Sequence, residues 1–242
     1  MSERPYHHGD LPSALLDAAE ALIREKGLDG WSLREASART GVSPSAAYHH
    51  FESRDTLVRA LSDRVLARLG ERLGRAVSRA GDDPEERIVA FGRSYVRWAL
   101  DDPAVARLAF RVGSSEAGPP ISAHPHDLLA AELDRLVVAG GLSQSARPGA
   151  DAVVGAAVHG LAAMLLDGMM HLNGQPEVDR VVERIVRAVL NGLGQETADG
   201  RWPAPQSRYT ERLSGRRQAK GRGRSSPDVP ADESQAPAGR RE

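Results

Sequence analysis

Residues 32–51, SLREASARTGVSPSAAYHHF, hold a dense set of helix start and stop signals. Ser32 and Glu35 stand in S-x-x-E spacing, where a hydroxyl and a carboxylate each satisfy a free backbone N–H at a helix start. Gly41 tolerates the positive φ of a tight turn and stops that helix. Ser43 offers a second cap, and Pro44 suits a first helical position, where its missing N–H costs nothing. Two short helices must therefore meet across a turn of a few residues. Helices that cross closely need small side chains, and Ala36, Ser37 and Ala38 supply them, while Val42 can plug the corner. The second helix ends in the cluster Tyr48-His49-His50-Phe51. One reading is a helix-turn-helix, in which the first helix braces and the second lies in the DNA major groove. The turn alone fits an ordinary helical hairpin equally well.

The flanking segments are helical too. Leu15, Ala18, Ala19, Leu22 and Ile23 recur at helical spacing between a cap at Asp10 and a stop at Gly27. A fourth helix begins after Ser53 and carries Leu57, Leu61, Val65, Leu69 and Leu73. Further helices are predicted over 84–100, 103–112 and 126–139, with a Gly, Pro and Ser-rich loop over 113–125. The run 151–170 is apolar nearly all round, which predicts burial on more than one face. A last helix starts near Pro176, with a two-wide stripe through Val178, Val181, Val182, Ile185, Val186, Val189, Leu190 and Leu193. No strand pattern occurs. The fold class is all-α: an N-terminal three-helix helix-turn-helix domain over 1–60, a helical domain over 61–198, and an Arg-rich tail over 199–242 whose composition predicts disorder.

Composition narrows the chemistry. The 242 residues include no cysteine, which removes disulfides, thiol nucleophiles and Cys-ligated metals. The N-terminus lacks the apolar run of a signal peptide and no stretch is long enough to span a membrane, so a soluble cytoplasmic protein is expected. No G-x-S-x-G elbow or phosphate-binding Walker loop occurs. Asp82-Asp83 and Asp101-Asp102 are paired carboxylates, but each pair precedes a proline and reads as a helix cap. A helical enzyme without a recognisable motif is the reading from another class, and it finds no support in these residues. No cofactor is expected.

Residues 10–61 resemble the N-terminal domain of TetR/AcrR-type transcriptional regulators. The likeness lies in a long first helix, then SLREASARTGVS, a short helix ending Y-H-H-F, and E-S-R-D-T-L. Arg54 stands where the family usually has Lys. Further on, YHHGDLPSALLDAA and YVRWALDDPAVARLAF are similar to the subgroup whose C-terminal domain carries W-x-x-x-H-G; here His159-Gly160 are present and Gly155 replaces the Trp.

The resemblance implies a DNA site. The short helix would bring Ser45, Ala46, Ala47 and His49 nearest the base edges, the two alanines offering apolar contact only. Ser32, Arg34, Ser43, Tyr48, His50 and Arg54 would serve the phosphates. For Tyr48 a partly core position stays open, for His49 a merely solvated one, and Phe51 reads as core. The arm Tyr6-His7-His8 is a further candidate. The last two helices would pair two copies into a four-helix bundle, giving a homodimer that reads two half-sites of a palindromic operator. A small-molecule effector would then release the DNA. Tyr95, Trp98, Phe110, His159, Met164 and Met169 are the candidate lining of its pocket, expected to be mostly aliphatic; plain core packing is the alternative for each.

Two questions of charge and metal remain. His124, His126, His159 and His171 leave a metal-sensing regulator of the same fold as an alternative, but their spacing names no ligand set. Through residue 65 there are eight basic residues against ten acidic ones, so the proposed DNA-binding domain is slightly acidic. From Arg208 to Arg224 the tail carries seven basic residues against Glu211 alone. That segment is either a solvated tail or a non-specific phosphate anchor.

Overall fold

The punctuation over 32–51 folds as its spacing predicts. Helices α1 (Leu11–Lys26), α2 (Leu33–Arg39) and α3 (Pro44–His50) form the N-terminal head. The Glu35 N–H donates to Ser32 Oγ at 3.3 Å, and the Ser32 N–H donates to Glu35 Oε2 at 2.9 Å, which completes the capping box. Ser43 Oγ accepts the Ala46 N–H at 3.2 Å, with Pro44 at the first turn. Gly41 turns at φ +73°, and the Val42 N–H donates back to the Ser37 carbonyl at 3.0 Å. Ala36 and Ser37 are fully buried as expected, but Ala38 faces solvent. The close crossing thus uses two small residues of α2 and not three.

The computed structural model describes residues 11–112 and 124–195, all within one compact unit. The Asp10 cap, the arm Tyr6-His7-His8, the segment 113–123 and the Arg-rich tail lie outside the described residues. Among the described residues every regular element is an α-helix, and none is long and apolar enough to cross a membrane.

Helix α4 (Arg54–Arg79) starts under a Ser53 cap and runs from the head into the body, so the boundary expected at residue 60 falls inside it. Its stripe Leu57, Leu61, Val65, Leu69 and Leu73 is fully buried. Burying a leucine contributes roughly 1.5–3 kcal/mol, so this seam holds head to body. A polar clamp runs beside it. Glu20 of α1, itself buried, accepts from Arg24 at 2.5 Å, Arg64 at 3.0 Å and Arg68 at 2.7 Å.

The body comprises α5 (Pro84–Asp101), α6 (Pro103–Val112), α7 (Pro125–Val138), α8 (Ala150–Leu166) and α9 (Gln175–Gln195). Asp83 caps α5 through the Glu85 N–H at 2.8 Å, and Asp102 accepts the Val105 N–H of α6 at 3.3 Å, so one carboxylate of each pair serves a helix start. Helix α5 lies close against α8 and α9. A Cβ at Gly92 would meet Val182 at 3.0 Å, Val186 at 3.2 Å and Val158 at 3.4 Å, so a larger residue there would have to push these valines back by a few tenths of an ångström. Ion pairs flank the contact, from Arg93 to Glu183 at 2.5 Å and from Arg97 to Asp179.

One expectation is corrected in α8. The helix ends at Leu166 and not at 170, because Gly168 at φ +69° lets the Met169 and Met170 N–H groups both turn back to the Met164 carbonyl. Within the single chain Val154, Val158, Leu161 and Ala162 are buried, while Ala152, Ala156 and Met164 form an exposed face. In α9 the stripe divides the same way. Val178, Val182, Val186, Leu190 and Leu193 are buried, and Val181, Ile185 and Val189 are only half covered.

Candidate nucleic-acid interface and effector cleft

The outer surface of the head is set by which residues of α3 the core takes. Ala47 is 0% exposed and belongs to the core, so it cannot reach a base edge; that expectation is corrected. A seven-residue helix braced by another must spend one position on the brace, and the smallest side chain allows the closest seat. Ala46 is half covered against the same core. Ser45, His49 and His50 are exposed, and Tyr48 is 48% exposed, so Tyr48 is available on the surface. The His49 and His50 rings meet edge-on at 5.9 Å. Phe51 is buried, as expected. Ser32, Arg34 and Ser43 are exposed along the edge formed by the start of α2 and the turn.

Arg54 is held by contacts within the protein. Its guanidinium lies over the Trp31 ring, 4.7 Å from the centroid, and donates to the Leu28 carbonyl. Its side chain is only 25% exposed. A planar cation stacked on an indole is a stabilising contact in itself. Arg54 is therefore a brace between the start of α4 and the α1–α2 connection. The buried Trp31 that receives it has no local signal, since the two residues are brought together only by the tertiary fold.

The slight acidity of the head resolves into pairs. Arg39 holds Glu25 through two bonds of 2.7 Å, and Lys26 meets Glu35 at 2.5 Å. The hydrogen bond from Lys26 and that from the Ser32 backbone hold the Glu35 carboxyl below its usual range. At Glu20 burial pushes the carboxyl up, but hydrogen bonds and charge from Arg68 and Arg24 outweigh it and the net shift is downward.

In the body, four of the expected pocket residues come together. Tyr95 stacks on Phe110 at 6.1 Å, Trp98 meets Phe110 edge-on at 6.2 Å, and His159 meets Phe110 edge-on at 4.2 Å. The Tyr95 hydroxyl and His159 Nδ1 stand 3.0 Å apart. Burial pushes the Tyr95 phenol up and the His159 imidazole down, so both are neutral near neutral pH. Met164 and Met169 do not join this cluster. Met164 lies on the outer face of α8, and Met169, 73% exposed, follows the early end of the helix.

A cleft of about 630 Å³ opens beside the cluster. Phe110 and His159 line it, while Tyr95 and Trp98 stand behind them. Its floor adds Ile23, Leu28, Ala163 and Leu166, and its rim carries Arg24, Arg107, Arg111, Asp29 and Asp167. The expectation of a mostly aliphatic pocket is thus corrected at the rim, which is charged. Sequence reasoning missed these rim residues. The spacing of Arg107 and Arg111, four apart on α6, was the available signal.

His124 and His126 have partners within the protein. His124 Nδ1 accepts the His126 N–H at 3.2 Å at the start of α7, and His126 Nε2 lies 3.0 Å from Asp151. Among the described residues no three His, Asp or Glu side chains converge as a metal site.

A short braced helix pair on a helical body with a ligand-sized cleft defines a helix-turn-helix regulator. Residues 15–61 match the family model "Bacterial regulatory proteins, tetR family", and residues 88–189 match "Tetracyclin repressor-like, C-terminal domain". The chain belongs to the tetR family, a family of regulators and not of enzymes. It is similar to the tetracycline repressor protein class A from transposon 1721 of Escherichia coli, at 35% identity over 103 residues, 43% of each chain. It is similar to the HTH-type transcriptional regulator BetI of Brucella anthropi, at 36% identity over 76 residues, 31% of this chain and 39% of that one. The matches thus span about two-fifths of these curated relatives. A solved structure of a protein with unknown function from Rhodococcus sp. RHA1 superposes with a TM-score of 0.66 at 30% identity, over 80% of this chain and 100% of that one.

Proposed function

We propose that this protein is a DNA-binding transcriptional repressor, acting in the cytoplasm as a homodimer on a palindromic operator and released by a small-molecule effector. The observation that carries the reading is the exposed row Ser45, Tyr48, His49 and His50 on α3, held out by the buried Ala36, Ser37 and Ala47 behind it. Ser45 and His49 would read base edges, and Tyr48, His50, Ser32, Ser43 and Arg34 would meet phosphates. Ala46 would offer apolar contact. The named functions of the tetracycline repressor and BetI support the same reading.

One short helix reads too few base pairs for specificity, and a dimer supplies a second half-site about 34 Å away. The half-covered residues Val181, Ile185 and Val189, with Ala152, Ala156 and Met164 of α8, support α8 and α9 as the pairing face. For the subgroup, His159-Gly160 support a W-x-x-x-H-G relative. A Cβ at Gly155 would meet only Leu129, at 3.9 Å, so the missing ring is not replaced by a clash.

Gel shift of the gene's own upstream region at low salt tests the reading. A sequence-specific shift weakened in His49→Ala is expected; no specific shift overturns it. Light scattering after size exclusion should give a dimer, and a monomer at micromolar concentration overturns the pairing.

A further inference from the structure

The cleft joins the two halves of the molecule. Its walls are the end of α1 and the segment after it on one side, and α6 and α8 on the other. Across it runs the ion pair from Arg111 to Asp29 at 2.7 Å, with both side chains about two-thirds exposed, and beside it Arg24 of α1 pairs with Asp102 at the start of α6 at 2.8 Å. Asp29 also stands 3.9 Å from Arg54, the brace on Trp31.

Arg107 lies one turn before Arg111 on the same face of α6. Like charges at this spacing repel and need a shared counter-charge. Arg107 receives little: it donates to the Leu166 carbonyl at 2.5 Å, and its nearest carboxylate, Asp167, is 3.9 Å away. Among the described residues, two guanidiniums a turn apart therefore face a cleft with one close carboxylate between them. Behind them the floor is apolar, formed by Phe110, Ala163 and Leu166 with the neutral His159 ring.

We propose that this cleft takes an anionic amphiphile, one carboxylate on an apolar or aromatic body, whose carboxylate bridges Arg107 and Arg111 and displaces Asp29. The inference rests on the effector reading of the same cleft. Guanidinium and carboxylate match as a fork of two parallel hydrogen bonds, so a ligand carboxylate reproduces what Asp29 gives Arg111 and adds what Arg107 lacks. An exposed ion pair contributes little stability, so Asp29 is exchanged at small cost. The cleft volume lies in the range of sites for small organic ligands. Neither half of the ligand suffices: the rim selects charge and the floor selects the body. Losing Asp29 removes one of the ties between the head and α6, the Arg24–Asp102 pair being another, which links occupancy to the head.

The test uses the full chain and titration calorimetry at low salt, with phenylacetate, phenylpropionate and phenylbutyrate against phenylethanol, phenylpropanol and phenylbutanol. At least one acid should bind saturably, about tenfold or more tighter than its alcohol, a difference of about 1.4 kcal/mol. The double variant R107Q/R111Q should bring that acid down to the alcohol's affinity. D29N, which removes the internal competitor, should tighten it. Circular dichroism melts confirm that both variants fold. No saturable binding by any acid, equal binding of acids and alcohols, or affinity unchanged in R107Q/R111Q overturns the proposal. Alcohols that bind as well as the acids and are excluded by A163W would leave the effector reading standing and defeat the anion. An acid that binds as described without altering the operator shift would leave the anion site standing and defeat the effector reading.

Discussion

On α3 the working side chains stand outward on a brace that is finished without them; on α6 the working side chains already hold groups of the protein itself. Ser45, His49 and His50 are exposed, and the structural duty of that short helix falls on Ala47. Arg107 and Arg111 instead hold the Leu166 carbonyl and Asp29. The first is a surface prepared in advance, whose cost is carried by the core behind it. The second is a set of contacts to be exchanged. Stability should therefore depend on the residues behind α3 and hardly at all on the arginines of α6.

Ala47→Asp attacks the brace and should have the largest effect. An unpaired carboxylate in a fully buried site should lower stability by on the order of 3–4 kcal/mol, read as a fall in the urea midpoint. If Ala47 instead faced a base, only DNA affinity would fall. Next is Glu20→Gln. Removing the centre of a clamp of three arginines should cost about 2–3 kcal/mol near neutral pH, below the fully buried case because Arg24 and Arg68 keep solvent access. The sign with pH follows from its lowered pKa. The Glu20 contribution is complete above its ordinary value of 4.5 and is lost as pH falls through the lower folded value. Melting curves of Glu20→Gln should thus be flatter below pH 4.5 than those of the parent.

His49→Ala should weaken operator binding by about 1–3 kcal/mol in gel shift, with stability changed by no more than about 0.5 kcal/mol. A large fall in melting temperature would show that α3 has no separation between brace and surface. Arg111→Gln should be mildest, under about 1 kcal/mol in urea unfolding, because its pair is exposed. A larger loss would make that pair structural and erase the contrast.

What could be read along the chain was whatever bonds over three or four residues. The caps at Ser32, Ser43, Ser53 and Asp83, the turn at Gly41 and the stripe on α4 are of that kind. So are the exposed polar residues of α3, once the resemblance fixed the motif. Ala47 was misassigned because a helix of under two turns gives no periodicity to separate inner from outer face. The stacking of Arg54 on Trp31 was not legible because Trp31 reaches it only through the tertiary fold. The cleft draws on three helices far apart in sequence, and only Phe110 and His159 of its lining carried a signal strong enough to be named. Met169 was drawn in by a helix read four residues too long, and Met164, inside that helix, by an apolar run that does not separate its inner from its outer face.

The Glu20 clamp also decides how the molecule can be taken apart. Glu20 belongs to the first helix, but Arg64 and Arg68 lie beyond the segment that matches the N-terminal family model, which ends at residue 61. A hybrid regulator that joins this head to another body at that border would strand a buried carboxylate without two of its three cations. The working splice comes after Arg68, where the graft carries its own counter-charges with it.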